Sequence, residues 1–284
     1  SAQLEEVVRR CRTCCKEQLQ RSEPLMESSL PSLPWQKIAI DLFDWQKSAY
    51  LIIVDYYSRF IEVTKLHRTT AHEVIEQMKV IFARHGVPEE VMSDNGPQFA
   101  SSQFQNFSRD YGFDHVTSSP LYPQSNGEVE RAVKTVKGLW KKNEDPLYSL
   151  LIYNATPLQL GYSPAELLMF RRLSTNLPMI QNQRLPRVPN VHKVEQRDKE
   201  AKQRHKGNFN AHHGARPLPT LLTGDKVWVT DRKEEGIVME EIFPRSYVVT
   251  THSGDTESAW YMLVMQTRRL CNQAVMAYPS NGIW

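Results

Sequence analysis

Residues 118–137 read Ser118-Ser119-Pro120-Leu121-Tyr122-Pro123-Gln124-Ser125-Asn126-Gly127-Glu128-Val129-Glu130-Arg131-Ala132-Val133-Lys134-Thr135-Val136-Lys137, and they divide into a loop and a helix. The first half contains two prolines and several Ser, Asn and Gln residues, a composition that favours a loop. Ser125 and Glu128 are three positions apart and form a capping-box pattern, which predicts a helix start near Asn126 or Gly127.

The predicted helix carries an apolar stripe beside a charged one. Apolar side chains recur with the helical period and predict one buried face, formed by Val129, Val133, Val136 and Trp140. The neighbouring stripe starts with an acid in the first turn and continues with three lysines: Glu130, Lys134, Lys137 and Lys141. Because Glu and Lys four positions apart are also typical of a solvated ion pair, this stripe does not define a site by itself.

Two acids elsewhere in the chain indicate that Glu130 belongs to a larger group of carboxylates. Asp94 closes a short apolar run and precedes a Gly-Pro turn, which predicts a carboxylate at the tip of a strand. Asp41 lies inside the apolar run Ile38–Phe43, where an unpaired carboxylate would be costly. Carboxylates that converge from two strands and a helix start are the ligands that a pair of hard divalent cations needs.

Taken in order, Asp41 and the motifs Ser93–Phe99 and Tyr122–Arg131 resemble the integrases of gypsy-class LTR retrotransposons, which are related to retroviral integrases. The resemblance covers residues 11–249. It implies an α/β catalytic core of the RNase H-like class, in which helices flank a mixed five-stranded sheet. It also implies a small SH3-like β-barrel near the carboxyl end.

The resemblance implies that Asp41, Asp94 and Glu130 are the catalytic acids and that they hold Mg²⁺ or Mn²⁺. Such a polynucleotidyl transferase processes the DNA ends of its element and joins them to target DNA by two-metal phosphoryl transfer. The expected partners are DNA and further copies of the same chain, with no membrane, and the expected site of action is the nucleus.

Several polar residues are predicted to contact DNA. Lys134 and Lys137 follow Glu130 by one and two helical turns, so phosphates or terminal bases are their expected partners. Gln124 in the proline-rich loop is a further predicted DNA contact. Two roles remain open for Asn95 and Gln98, which either orient the turn after Asp94 or touch DNA.

A Cys-x-x-Cys pair, Cys11 and Cys14, is half of a tetrahedral zinc site. The resemblance implies that these are the thiolates of a His-His-Cys-Cys domain. The first histidine of the chain is His67, so no histidine precedes the pair. We therefore expect an incomplete site that takes Zn²⁺ only if histidines lie upstream. The chain begins at Ser1 without a methionine, which is typical of a fragment.

Composition adds limited information. The net charge is only +3, but residues 184–216 hold nine Lys and Arg against three acids. This segment is either a solvated helix face or a phosphate contact. No apolar run approaches the length of a membrane span, and four cysteines without a disulfide pattern favour a reducing compartment.

The predicted organisation has five parts. They are a zinc-domain remnant (1–22), the catalytic core (32–156), a core tail with a basic linker (157–216), the SH3-like domain (217–270) and an unassigned tail (271–284). Within them the patterns predict strands at Ile38–Phe43, Tyr50–Tyr56, Phe60–Leu66, Glu90–Ser93, Phe113–Thr117, Thr223–Val229, Glu241–Phe243 and Tyr247–Thr251. Helices are predicted at Ala71–His85, Ser102–Tyr111, from Asn126 or Gly127 onwards, at Pro146–Tyr153 and at Val191–His205.

Two other functions fit part of the pattern. A host-resident derivative of an integrase would keep the fold and bind DNA or protein without catalysis, but the intact acids favour an active enzyme. An RNase H-like nuclease of RNA–DNA hybrids would explain the acids but not the loops Gly96–Phe99 and Ser125–Glu128.

Overall fold

The computed structural model describes residues 24–25, 29–117, 127–178, 180–217, 220–229, 234–243 and 246–251 of the 284-residue chain. They divide into two compact units. Residues 24–212 form one unit, and the described residues from 213 onwards belong to the other.

Three antiparallel strands open the larger unit: β1 (Lys37–Trp45), β2 (Ser48–Asp55) and β3 (Ile61–Leu66). Their number and order agree with the prediction, but β1 is longer than expected because Trp45 still pairs with Ser48. The two residues between them, Gln46 and Lys47, have φ values of 47° and 62°. Tight two-residue hairpin turns need such positive φ values.

Two parallel strands complete the sheet, each reached through a helix. The bounds are α1 (Ala71–His85), β4 (Glu90–Ser93), α2 (Ser102–Tyr111) and β5 (Asp114–Thr117). The strand order is β3-β2-β1-β4-β5, with β4 parallel to both of its neighbours. This mixed five-stranded sheet with flanking helices confirms the predicted RNase H-like fold.

Caps explain why α1 and α2 begin and end where the sequence predicted. Thr70 accepts a hydrogen bond from the Glu73 N–H over 3.3 Å, and Ser101 accepts one from the Phe104 N–H over 3.2 Å. A glycine with positive φ follows each helix.

α3 (Gly127–Trp140) begins at the predicted position and covers the second face of the sheet. Val129, Ala132 and Val136 are buried there, while Val133 lies at the margin of the same cluster. α4 (Pro146–Ala155) is a separate helix, because Asp145 caps it by accepting hydrogen bonds from two backbone N–H groups over 3.0 Å.

Side-chain alternation along β1 divides the core into two layers. Ile38 and Ile40 pack with α1 and α2, whereas Ala39 and Phe43 pack with α3. A residue's position in β1 therefore determines which set of helices it faces.

The larger unit continues beyond α4 with α5 (Pro164–Met169), a 3-10 turn (Gln181–Arg184) and α6 (Val191–His213). α6 is longer than predicted, because its polar second half carries no apolar period. Val194 anchors it by packing with Tyr57, Leu160 and Leu167.

The second unit contains an antiparallel sheet of β6 (Lys226–Val229), β7 (Glu234–Phe243) and β8 (Ser246–Thr251) around a small core. The strand predicted at Glu241–Phe243 is thus the end of a longer one. The SH3-like barrel stays a prediction, since residues 252–284 lie outside the described part of the chain. Among the described residues, no helix is long and apolar enough to cross a membrane.

Candidate metal centre

The parallel pairing of β1 and β4 brings Asp41 and Asp94 to the same edge of the sheet. β1 and β4 are parallel, with Ala39 opposite Met92, and both of these residues belong to the layer that faces α3. Asp41 lies two residues farther along β1, and because side chains alternate along a strand its carboxylate belongs to the α3 face as well. Asp94 lies two residues beyond Met92, one residue past the end of β4.

Glu130 approaches this pair from the first turn of α3. Its neighbour Val129 is fully buried against the sheet, whereas Glu130 itself is exposed. The charges of both Asp94 and Glu130 act on Asp41. The structure therefore brings the three predicted acids into one electrostatic group.

Asp41 is the central acid of this group. Burial raises its pKa from the usual 3.8 to about 6, and repulsion from Asp94 and Glu130 adds to that effect. Two contacts act in the other direction: the Leu42 N–H donates to Asp41 Oδ1 over 2.7 Å, and Lys137 supplies positive charge. Since burial and repulsion outweigh these contacts, ionised Asp41 lacks sufficient compensating charge.

The three carboxylates do not form a closed ligand set. In the part of the chain that the structure describes, no group of three or more His, Cys, Asp or Glu side chains is arranged to hold a metal ion. Asp94 and Glu130 are both exposed. The site is therefore an open cluster of acids.

The turn after β4 fixes the direction of Asp94. Its Oδ1 accepts a hydrogen bond from the Gly96 N–H over 2.9 Å. Gln98 donates from Nε2 to the Thr69 carbonyl over 2.9 Å, which ties this turn to the segment before α1. Of the two roles left open for Gln98, orienting the turn is thus the one with an observed contact, and Asn95 is exposed on the same turn.

Two residues that the sequence did not single out lie behind Asp94. Ser93, fully buried at the end of β4, donates from Oγ to the Asp94 carbonyl over 2.7 Å. The same Oγ is 2.8 Å from His115 Nε2 on β5. Burial lowers the pKa of His115. Sequence spacing cannot reveal this pair, because its members meet only through the β4–β5 pairing.

The two candidate DNA-binding lysines differ in their surroundings. Lys134 is exposed, whereas Lys137 places its Nζ 5.4 Å from the ring centroid of Phe43 on β1. Lys137 therefore lies over the strand that carries Asp41. Three other candidates, Gln124, Cys11 and Cys14, lie outside the described residues, and their predicted roles stay predictions.

The acids nearest to Asp41 in sequence take other positions. Asp44 is exposed on β1, while Asp55 is fully buried at the end of β2. The Asp55 carboxylate accepts hydrogen bonds from three backbone N–H groups and from the Ser58 hydroxyl, so it holds the β2–β3 turn. Burial raises the pKa of Asp55, and these donors counteract that rise.

Arg59 connects the first turn of α3 to α6. Its Nη1 is 2.8 Å from Glu128 Oε2, and its Nη2 is 3.2 Å from Asp198 Oδ1. Arg131 also contacts Glu128, and Lys202 pairs with Asp198. The helix end that carries Glu130 is thus held by a guanidinium from the β2–β3 turn.

The fold and the open acid cluster define an RNase H-like domain with a carboxylate site. Residues 34–123 match the family described as "Integrase core domain", a range that contains Asp41 and Asp94. Over these residues the chain is therefore similar to an integrase core domain.

Related proteins share much of this chain. It is 32% identical over 239 residues to "Uncharacterized protein K02A2.6" of Caenorhabditis elegans, which covers 80% of this chain and 18% of that protein. It is 30% identical over 190 residues to the Gag-Pol polyprotein of walleye dermal sarcoma virus, which covers 62% of this chain and 11% of the polyprotein. The chain thus spans less than a fifth of the length of either relative.

A solved structure shares the fold. It is the cryoEM structure of the simian T-cell lymphotropic virus intasome in complex with PP2A regulatory subunit B56 gamma. The TM-score is 0.59 at 19% sequence identity, and the match covers 96% of this chain and 92% of the other.

Proposed function

We propose that this chain is a metal-dependent DNA integrase of the gypsy retrotransposon class, a polynucleotidyl transferase that processes element DNA ends and joins them to target DNA. The observation that carries the proposal is the group of Asp41, Asp94 and Glu130. Asp41 lies on β1 and Asp94 directly follows the adjacent parallel strand β4, and the charges of both Asp94 and Glu130 act on Asp41. The match to an integrase core domain supports DNA as the substrate.

The donor set fits Mg²⁺ or Mn²⁺, because three carboxylates are hard oxygen ligands. Asp41 would hold the cations together with Asp94 and Glu130. When bound, the cations would lower the pKa of a water or a DNA 3′-hydroxyl and neutralise charge that develops at phosphorus. Burial raises the pKa of Asp41 and repulsion from Asp94 and Glu130 adds to the rise, so a positive charge at the site would stabilise the ionised carboxylate.

The protein's own residues prepare the site for a polyanion. Asp94 and Glu130 are exposed, so they leave an open side at which a DNA phosphate can approach. Asp41 must lose its proton to act as a ligand, and Lys137 favours that loss. Lys134, one turn beyond Glu130, offers positive charge to the backbone of the DNA. Further copies of the chain are proposed partners, and the nucleus is the proposed site of action.

The test is strand joining of short blunt DNA duplexes with Mg²⁺ or Mn²⁺. We expect activity from the parent chain and its loss in Asp41→Asn, Asp94→Asn and Glu130→Gln, each measured separately. Asp44→Asn is the matched control, because Asp44 is an exposed acid on the same strand as Asp41. Full activity in any one of the three variants would remove that residue from the site. A parent chain that binds DNA but joins none would favour the non-catalytic derivative.

A further inference from the structure

The last residue of β4 and a histidine on β5 form a buried polar contact behind the acid cluster. Ser93 is fully buried, and its Oγ is 2.8 Å from His115 Nε2 and 2.7 Å from the Asp94 carbonyl oxygen. The His115 ring packs on Phe104, with 4.7 Å between the ring centroids. The imidazole is thus fixed from both sides.

The direction of the hydrogen bonds follows from chemistry. A serine hydroxyl has one proton, and the Asp94 carbonyl can only accept, so Ser93 donates to Asp94. Ser93 Oγ then accepts from His115, which places a proton on Nε2. The three groups form a chain that runs from the His115 Nε2–H through the Ser93 hydroxyl to the Asp94 carbonyl.

This series of hydrogen bonds ends at the point where the backbone leaves the sheet. Beyond Ser93 the β4 ladder stops, and Asp94 is exposed. Its carboxylate would still need a fixed direction, because a cation site tolerates little misplacement of its ligands. The hydrogen bond from Ser93 holds one end of the residue, and the Gly96 N–H holds the carboxylate at the other.

We propose that His115 and Ser93 are positioning residues that orient Asp94 for cation binding. The inference rests on the proposed function, because it assigns Asp94 the role of a ligand. Neither residue is proposed as a cation ligand or as a DNA contact. Groups that orient a ligand in this way typically contribute about 10- to 100-fold to metal affinity or activity.

The experiment compares pairs of variants in the full chain. His115→Leu and Ser93→Ala each interrupt the series of hydrogen bonds that leads to Asp94. His115→Gln keeps an N–H donor at the same place, and Ser93→Thr keeps the hydroxyl. Mn²⁺ affinity is measured by calorimetry, kcat and KM by strand joining, and the unfolding temperature by circular dichroism. Ser149→Ala is the matched control, since Ser149 is a buried serine whose hydroxyl donates to the Asp145 carbonyl far from the acids in sequence.

We expect His115→Leu and Ser93→Ala each to lower Mn²⁺ affinity and kcat by about 10- to 100-fold, with KM for DNA unchanged. His115→Gln and Ser93→Thr should restore most of this loss. The double variant His115→Leu/Ser93→Ala should be little worse than either single variant, because the two residues act in series. Ser149→Ala should change stability without changing Mn²⁺ affinity. If His115→Leu does not fold, Ser93→Ala and the two conservative variants carry the test.

Unchanged Mn²⁺ affinity and kcat in Ser93→Ala, or no recovery in the conservative variants, would overturn the proposal. The Asp94→Asn variant separates this result from a failure of the proposed function. If Asp94→Asn is inactive while Ser93→Ala and His115→Leu match the parent, only the positioning role is lost. If the parent chain binds no Mn²⁺ or Asp94→Asn keeps full activity, both proposals fail.

Discussion

Asp41 follows Ala39 by two residues and Asp94 follows Met92 by two residues, where Ala39 and Met92 are the last paired residues of the parallel strands β1 and β4. The end of this pairing therefore brings both acids to the same edge of the sheet. β4 ends one residue before Asp94, so its carboxylate meets the open end of the sheet. Active sites built on strands are better positioned than those built on loops alone.

The first prediction concerns Asp41 and pH. Its raised pKa means that the folded protein binds this proton more tightly than the unfolded chain does. The contribution of Asp41 to the free energy of unfolding is therefore fully present below about pH 4 and falls as the pH rises to about 6. Above pH 6 the ionised, mostly buried carboxylate destabilises the folded protein by the full amount. Without metal, Asp41→Asn should stabilise the protein at pH 7.5 by about 1–2 kcal/mol, a figure reduced for partial solvent screening.

The measurement is urea unfolding of parent and variant in EDTA at pH 4 and at pH 7.5. The difference between the two proteins should be near zero at the lower pH. A gain of equal size at both values would show that packing, and not the charge, causes the change.

The second prediction uses Gly96. A methyl group at this position would lie 2.9 Å from Asp94 Oδ1 and 3.3 Å from Gln98 Oε1. Both atoms are ends of side chains, so the fold can adapt, but the Asp94 carboxylate must turn away. Gly96→Ala should lower Mn²⁺ affinity by about 10-fold and change the free energy of unfolding by less than about 1 kcal/mol.

Gly138→Ala is the matched control, because a methyl group there meets nothing within 4 Å and Gly138 lies in the last turn of α3, away from Glu130. It should raise stability by about 0.5–1 kcal/mol and leave Mn²⁺ affinity unchanged. Equal Mn²⁺ affinity in Gly96→Ala and the parent would show that Asp94 Oδ1 does not contribute to the site in this orientation.

The third prediction separates DNA binding from metal binding. Lys134 and Lys137 are cations and cannot be metal ligands. Replacing both with alanine should weaken duplex binding and reduce the slope of log K against log salt by about one to two. Titration of labelled duplex at several salt concentrations measures the slope. The exposed Lys65 on β3 gives the control variant Lys65→Ala. If the Lys134→Ala/Lys137→Ala variant showed the same salt slope as this control, the two lysines would be solvated surface residues and not DNA contacts.

The fourth prediction concerns Cys11 and Cys14. Cys11 and Cys14 are two of the four ligands that a tetrahedral zinc site needs, so a protein of these 284 residues should purify with substoichiometric zinc. Metal analysis of the purified protein provides the number. A ratio near one zinc per chain that disappears in Cys11→Ser would show that other residues complete the site.

Local signals predicted much of the fold. The bounds of α1 and α2 follow from Thr70, Ser101 and the glycines after each helix, because caps and C-terminal glycines are encoded within a few residues. The predicted strands of the β1–β2 hairpin stop short of its turn: β1 was predicted to end at Phe43 and β2 to begin at Tyr50, whereas they extend to Trp45 and Ser48. The turn is Gln46-Lys47, and neither residue is one of those that usually mark a turn with positive φ.

The candidate site also contains residues that local sequence patterns indicate and contacts that only the fold creates. Asp41 and Asp94 stand out in the sequence, because Asp41 lies inside an apolar run and Asp94 closes one. The contact between Ser93 and His115 could not be predicted, since it depends on residues that a whole helix separates along the chain. The same holds for Arg59, whose partner Asp198 is 139 positions away in sequence.

That last ion pair determines how short a self-sufficient fragment of this protein can be. A fragment that stopped after α4 would contain all three acids, yet it would lack Asp198 and Val194. Arg59 would then lose a mostly buried partner, and Tyr57 would lose part of its apolar cover. Arg59 would keep its ion pair with Glu128, but it would no longer connect the first turn of α3 to a second acid. The shortest fragment that keeps both partners of Arg59 and the cover of Tyr57 must therefore extend into α6, well past the last residue of the acid cluster.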